Sequence, residues 1–140
     1  MLSAVIIAVL TGVAIATQAS VLGSAGRRIN PLSVSLALQL SGVLVGLLWL
    51  AWSRSWSDVV EVARAWWWIP LGLLGLVVVA AIGYSGARLG ALATLALLVA
   101  AQLVTGLVLD VRSGSVVLDW RQPLGILLVL GGTVLISARS

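Results

Sequence analysis

The sequence predicts an all-α integral membrane protein of five transmembrane helices with no water-soluble domain. Three observations carry that expectation. Hydrophobic residues make up 61% of the 140-residue chain, and its mean hydropathy is +1.21. Only 9% of residues are charged, against roughly 25% in a soluble domain, which is too few to cover a water-facing surface. The polar residues are also ordered. They fall in short breaks between apolar runs of spanning length, roughly 20 residues for a helix crossing the hydrocarbon.

The first span is expected over residues 2–22, ending at Gly23-Ser24-Ala25-Gly26-Arg27-Arg28, which reads as a flexible, charged turn. No Lys or Arg precedes the apolar run, so it reads as a span rather than a cleaved signal. The second is expected over residues 31–52. Asn30 suits its cap and Pro31 its first position. Ser53 to Ala65 is polar and short. Asp58 and Glu61 resemble a helix start, and Val59, Val60, Val62 and Ala63 form an apolar face, so a helix lying in the interface is expected. The third and fourth spans are expected over residues 67–84 and 89–109. A single helix there would exceed about 60 Å, twice the hydrocarbon thickness, so a tight turn is placed at Gly83–Gly90 around Arg88. The polar stretch Arg112–Gln122 turns at Gly114, and the fifth span, residues 123–136, is the shortest. No linker divides the chain, so residues 1–140 form one membrane domain.

With five spans, one face of the membrane carries the Ser53–Ala65 and Arg112–Gln122 connections. The other carries the Gly23–Asn30 and Tyr84–Leu89 turns and the C-terminus. All seven Trp (49, 52, 56, 66, 67, 68 and 120) lie toward the first face, as interfacial anchors or, for one of them, a stacking surface. Arg54, Arg64, Arg112 and Arg121 belong to the first face, and Arg27, Arg28, Arg88 and Arg139 to the second. An excess of Lys and Arg normally fixes orientation. With no excess, either a subtle cue selects one orientation or the chain inserts both ways and meets an oppositely oriented partner. The arginines are scattered between apolar runs, so no nucleic-acid face exists.

Several segments look familiar in their order. Trp66-Trp67-Trp68-Ile69-Pro70-Leu71-Gly72-Leu73-Leu74-Gly75 resembles the start of the third span in the YdcZ-like family of the drug/metabolite transporter superfamily. Leu89-Gly90-Ala91, Ala101-Gln102 and Leu107-Val108-Leu109-Asp110 resemble that family's LGA…GQ…LLLD signature. Gln18-Ala19, Pro31 with Gly42, and Gly125 with Gly131 extend the likeness over nearly the whole chain. The chain departs from the pattern at Leu22, where the family often has Asn. It departs also at Gln39, which replaces an aromatic, and at Ala101, which replaces Gly. The resemblance implies one half of an inverted-repeat (EamA-like) transporter, a five-helix unit that pairs with an inverted copy as a homodimer or with a homologous partner. Export is the family's described function, and no substrate carries over.

Cys and His are absent, which removes thiol and imidazole chemistry and the usual zinc ligands. No metal, cofactor or enzyme activity is expected. No ionisable residue falls at mid-depth. Asp110, near the first face, reads either as a helix-end carboxylate paired with Arg112 or Arg121, or as a coupling carboxylate. The other intramembrane polar side chains are neutral: Thr11, Thr17, Gln18, Gln39, Tyr84, Thr94, Gln102 and Thr105. Gln18, Gln39, Tyr84, Gln102 and Thr105 are the candidates for lining a substrate cavity, since an unpaired amide in hydrocarbon costs several kcal/mol. The alternative is interhelical hydrogen bonding. Gln39 should lie about 12 Å in from the second face and Gln102 about 10 Å in from the first. Gly42 and Gly46, and Gly125, Gly131 and Gly132, are candidate packing positions. The expected function is small-molecule transport at the cell membrane, a bacterial inner membrane, as an antiparallel dimer with dual topology. The alternative is a non-transporting subunit that stabilises or regulates a homologous partner.

Overall fold

The computed structural model describes residues 2–114, 117 and 119–138. It is all-helical, with no strand among the described residues: α1 (Leu2–Gly26), α2 (Pro31–Ser53), α3 (Trp56–Arg64), α4 (Trp68–Arg112) and α5 (Arg121–Ser137). α1, α2 and α4 are long and apolar enough to cross a membrane. α5 is apolar but has 17 residues, about 25 Å at 1.5 Å per residue.

Local chemistry explains most helix ends. Asn30 caps α2, its Oδ1 accepting from the Leu32 N–H at 2.9 Å, and Pro31 fills the first position, where its missing N–H costs nothing. Arg54 closes α2 in the left-handed region (φ 56°), its N–H donating to the Leu50 carbonyl. α3 has Asp58 in its first turn and Arg64 in its last, each complementing the helix dipole. It is the strongly amphipathic element that the interfacial reading expects. The indole N–H of Trp68 donates to the Ala63 carbonyl at 3.2 Å and ties α3 to the start of α4. Gly114 takes positive φ (71°), as a turn there requires.

Two expectations about helix ends are corrected. The first helix does not stop at Leu22, and Gly23–Gly26 is not a flexible turn. α1 continues to Gly26, because Gly23 and Gly26 are packed on α4. Likewise the chain does not turn over Tyr84–Leu89. The helix runs through those residues and breaks at one position, Gly90 (φ 79°, ψ 162°), a conformation that only Gly adopts readily. Gly83 and Gly86 are helix-packing residues instead of turn residues.

The break folds α4 back on itself. One cavity is lined by Ala81, Ile82, Ser85 and Leu89 before Gly90, and by Thr94, Leu97, Leu98 and Ala101 after it. In a straight helix Ala81 and Ala101 would stand about 30 Å apart. Sharing a cavity of about 180 Å³ requires the halves to lie side by side as a helical hairpin. α1 crosses the first half where Gly23 meets Gly86 and Gly26 meets Gly83. α2 lies along the same half, with the buried Ser35 hydroxyl donating to the Leu76 carbonyl at 2.8 Å. α5 runs back along the second half, the Thr133 hydroxyl shared between the Val129 (2.8 Å) and Ala96 (3.3 Å) carbonyls.

The interior is small. Its buried hydrophobic side chains are Ala19, Leu22, Ala93 and Ala100, and most of the large aliphatic residues are exposed. That distribution suits a lipid solvent, in which helices associate through close packing and hydrogen bonds instead of apolar burial. The glycine contact is therefore the feature most sensitive to substitution. A Cβ at Gly23 would sit 2.9 Å from the Gly86 carbonyl carbon, a backbone atom that cannot swing aside. Gly23→Ala is expected to destabilise the purified protein by about 1–3 kcal/mol in denaturant titration. Gly12→Ala, on the same helix with nothing within 4 Å, should be neutral or stabilising by up to about 1 kcal/mol. Equal effects of the two changes would contradict the packing assigned to Gly23.

Candidate functional site

The two ends of the bundle differ in charge. Gly26 packs on Gly83, which brings Arg27, Arg28 and Arg88 to one end, with Arg88 stacked 4.0 Å over the Tyr84 ring. Arg139, expected at this end, lies outside the described residues. The hairpin returns Arg112 to the end that carries α3. Asp58, Glu61, Asp110 and Asp119, all the acids of the chain, lie at that end with Arg54, Arg64, Arg112 and Arg121. Trp49 and Trp52 meet edge to face there, with centroids 5.9 Å apart. One end thus balances its charges and the other has arginine alone among the described residues.

Three clefts carry polar side chains among apolar ones. The first is the hairpin cleft, with the buried Thr94 and the half-buried Ser85 among apolar residues. The second is a groove between α1 and α2, where Gln18 and Thr17 sit with Ala14, Val21, Leu22, Val34 and Leu38. The third is at the acidic end between α4 and α5, where Asp110, Arg121 and Gln122 close a slot floored by Leu103, Leu107 and Ile126.

Of the sequence-derived cavity residues and Asp110, only Gln18 and Asp110 line one of these clefts. Gln39 is half-buried, its Nε2 lying over Gly75. Gln18 and Gln102 are exposed on the surface of the chain, and so are Tyr84 and Thr105. None of the three amides has a hydrogen bond to a described residue. α4 runs on to Arg112, ten residues past Gln102, so this amide lies about 15 Å of helix from that end. It therefore stands near mid-length of its helix half. Thr11 and Thr17 donate to carbonyls four residues back, at Ile7 and Val13, and so are satisfied within α1. Gly42, Gly46, Gly125, Gly131 and Gly132 have open space where a Cβ would stand; Gly125 and Gly132 border clefts between α4 and α5.

Asp110 is not paired as one reading expected. Arg121 instead approaches Asp119 at 3.8 Å, both side chains more than half exposed, and Asp110 makes no ion pair with a described residue. The residues that sequence reasoning missed are Ser35, whose hydroxyl joins α2 to α4, and Ser85 in the hairpin cleft. Thr94 stood among the polar intramembrane residues, but its lack of a partner follows from the hinge position and is invisible in composition.

Residues 3–135 match the family described as "Putative inner membrane exporter, YdcZ". No curated protein and no solved structure matches the chain.

The geometry of Asp110 carries a prediction. An exposed carboxylate without an ion-pair partner contributes little to folding, so Asp110→Asn should change unfolding stability by less than about 0.5 kcal/mol. A loss of about 3–5 kcal/mol, the cost of breaking a buried pair, would show that Asp110 is held by a partner in the assembled protein.

Proposed function

Since the chain belongs to this inner membrane exporter family, a family of transporters rather than enzymes, we propose that it crosses the membrane five times and pairs with an inverted copy. Together the copies export a small neutral or amphipathic molecule through a cavity between them. The chain is a multi-pass protein of the cell membrane. In the proposed topology the five spans are α1, α2, the two halves of α4, and α5.

One observation carries the reading. Gln18 and Gln102 stand exposed along apolar helices with no hydrogen bond to a described residue. Lipid offers an amide nothing, at a cost of several kcal/mol each. A wet cavity or a second copy supplies the partner. An odd number of spans with equal arginine counts at the two faces, four and four, supports inverted pairing. The open glycine positions on α2 and α5 leave room for a close-packed neighbour. Binding near the membrane midplane, where two inverted units meet, is a recurring transporter design. No carboxylate stands at mid-span, so a bare cation is disfavoured as cargo. Asp110, at the mouth of its slot, is the candidate coupling group. The open glycine faces alone equally suit a non-transporting subunit that stabilises a homologous partner, and the experiments separate the two readings.

Single cysteines at positions 28, 55, 88 and 114 should react with a membrane-impermeant thiol reagent in opened membranes. Protection at position 88 would remove the turn between the third and fourth spans. Gln102→Leu should leave dimer levels unchanged and cut export of neutral amphipathic compounds about tenfold, the effect of losing about 1.4 kcal/mol of interaction. Export is read as cell tolerance to a panel of such compounds. If Gln102→Leu instead unfolds the chain or dissolves the dimer, with no separate loss of tolerance, the stabilising-subunit reading stands.

A further inference from the structure

We propose that Arg27 and Arg28, with Arg88 beside them, hold the headgroup phosphate of an anionic phospholipid such as phosphatidylglycerol. The inference starts from charge. All four Asp and Glu residues stand at the opposite end of the bundle, and neither Arg27 nor Arg28 makes an ion pair with a described residue. Arg88 adds a third positive charge close by, because Gly26 packs on Gly83 and Ala87. Its guanidinium lies over the Tyr84 ring, a contact that leaves its charge unneutralised. No Asp or Glu of the chain supplies the counter-charge for this end. Depth selects the anion. α1 has 25 residues, about 37 Å at 1.5 Å per residue, against about 30 Å of hydrocarbon. A span of that length carries Arg27 and Arg28, both exposed, to the level of the lipid phosphates.

The local shape suits a lipid rather than a soluble anion. Ser24, Ala25, Arg27 and Arg28 line an open recess of about 700 Å³. The groove between α1 and α2 leads up to it, walled by Val21 and Leu22 on one side and by Val34 and Leu38 on the other. Ala14, Gln18 and Val21 of the groove and Ala25 and Arg28 of the recess follow at steps of three or four residues, so they share one face of α1. The Ile29 N–H donates to the Ala25 carbonyl at 2.9 Å, a bond of helical spacing that carries the winding past Arg28. A phosphate in the recess has its glycerol and upper chains over Val21 and Val34, apolar surface that a free anion leaves bare. Gln18 stands about 15 Å of helix below Arg28, out of the headgroup's reach, and its amide is left to the pairing proposed above. A zwitterionic lipid brings its own cation to a site that already holds three, and an anionic lipid does not. The site is complete within one chain, so it does not depend on how two copies are oriented.

The test reads lipid binding in place of transport. The purified chain in detergent is titrated with phosphatidylglycerol, and bound lipids are counted by native mass spectrometry, with phosphatidylcholine of the same chains as the comparison. One tightly held phosphatidylglycerol per chain is expected, with phosphatidylcholine at least about tenfold weaker. Arg27→Gln and Arg28→Gln should each weaken it about fivefold, and the two together at least about tenfold. Arg27→Lys with Arg28→Lys keeps the charge and should stay within about threefold of the parent. Arg64→Gln with Arg112→Gln removes the same charge from the other end and should stay within about twofold. Unfolding midpoints equal to the parent's show that the variants are folded. A large excess of inorganic phosphate should not displace the lipid, and displacement would make the recess a site for a free anion instead. Equal binding of phosphatidylcholine, undiminished binding to the glutamine pair at positions 27 and 28, or an equal loss in the Arg64 and Arg112 pair would each overturn the assignment. An intact dimer that binds no phosphatidylglycerol would overturn it too, and would assign the arginines to the acids of a partner copy.

Discussion

Backbone lies directly on backbone where α1 crosses α4. Gly23 meets Gly86 and Gly26 meets Gly83, with no side chain between the helices. In a lipid solvent apolar side chains gain nothing by leaving one apolar surface for another, so close approach and buried hydrogen bonds must hold the helices together. Glycine permits the approach, and the rest of the bundle follows from it. Once α1 is seated, the short Arg27–Asn30 connection delivers α2 beside the same half of α4, where the Ser35 hydroxyl finds the Leu76 carbonyl. The second half of α4 then folds back at Gly90 and offers its outer side to α5, fastened through Thr133.

The hinge links that architecture to chemistry. A helical backbone satisfies its own hydrogen bonds, which is why it can cross a membrane. At Gly90 the pattern stops for one residue, and four residues on the buried Thr94 hydroxyl has no partner. Elsewhere among the described residues the Ser137 hydroxyl is also buried without a partner, and other unpaired polar groups are at the surface of the single chain. Gln18 and Gln102 point outward from helices whose other outward residues are mostly apolar. The exposed amides have no hydrogen bond to a described residue, and an inverted neighbour is the proposed partner for them.

Much of this was legible in the sequence because it depends on one-dimensional patterns. Apolar runs, the Asn30-Pro31 cap, the amphipathic stretch of α3 and the Gly114 turn each have a local cause, and each is found where expected. What was not legible depends on what a residue meets in space. Gly83 and Gly86 read as turn residues because glycine serves both turns and close helix contacts, and only the partner helix decides between them. Gly23 and Gly26 misled for the same reason. Gln18, Gln39 and Gln102 were identified by the cost of burying an amide, which gives depth but not direction. Asp110 had two arginines within reach along the chain, yet Arg121 lies nearer Asp119 in space.

Inverted pairing is the central claim, and it is tested most directly by counting labels per dimer. The purified dimer carrying a single cysteine at position 28 is reconstituted into sealed vesicles and treated with a membrane-impermeant thiol reagent. Position 28 of an inverted pair lies once on each face, so every dimer should take one label from outside whichever way it inserted. It should take a second only after the vesicles are opened. A parallel pair would give a mixture of dimers with two outer labels and dimers with none, and that result would contradict the account.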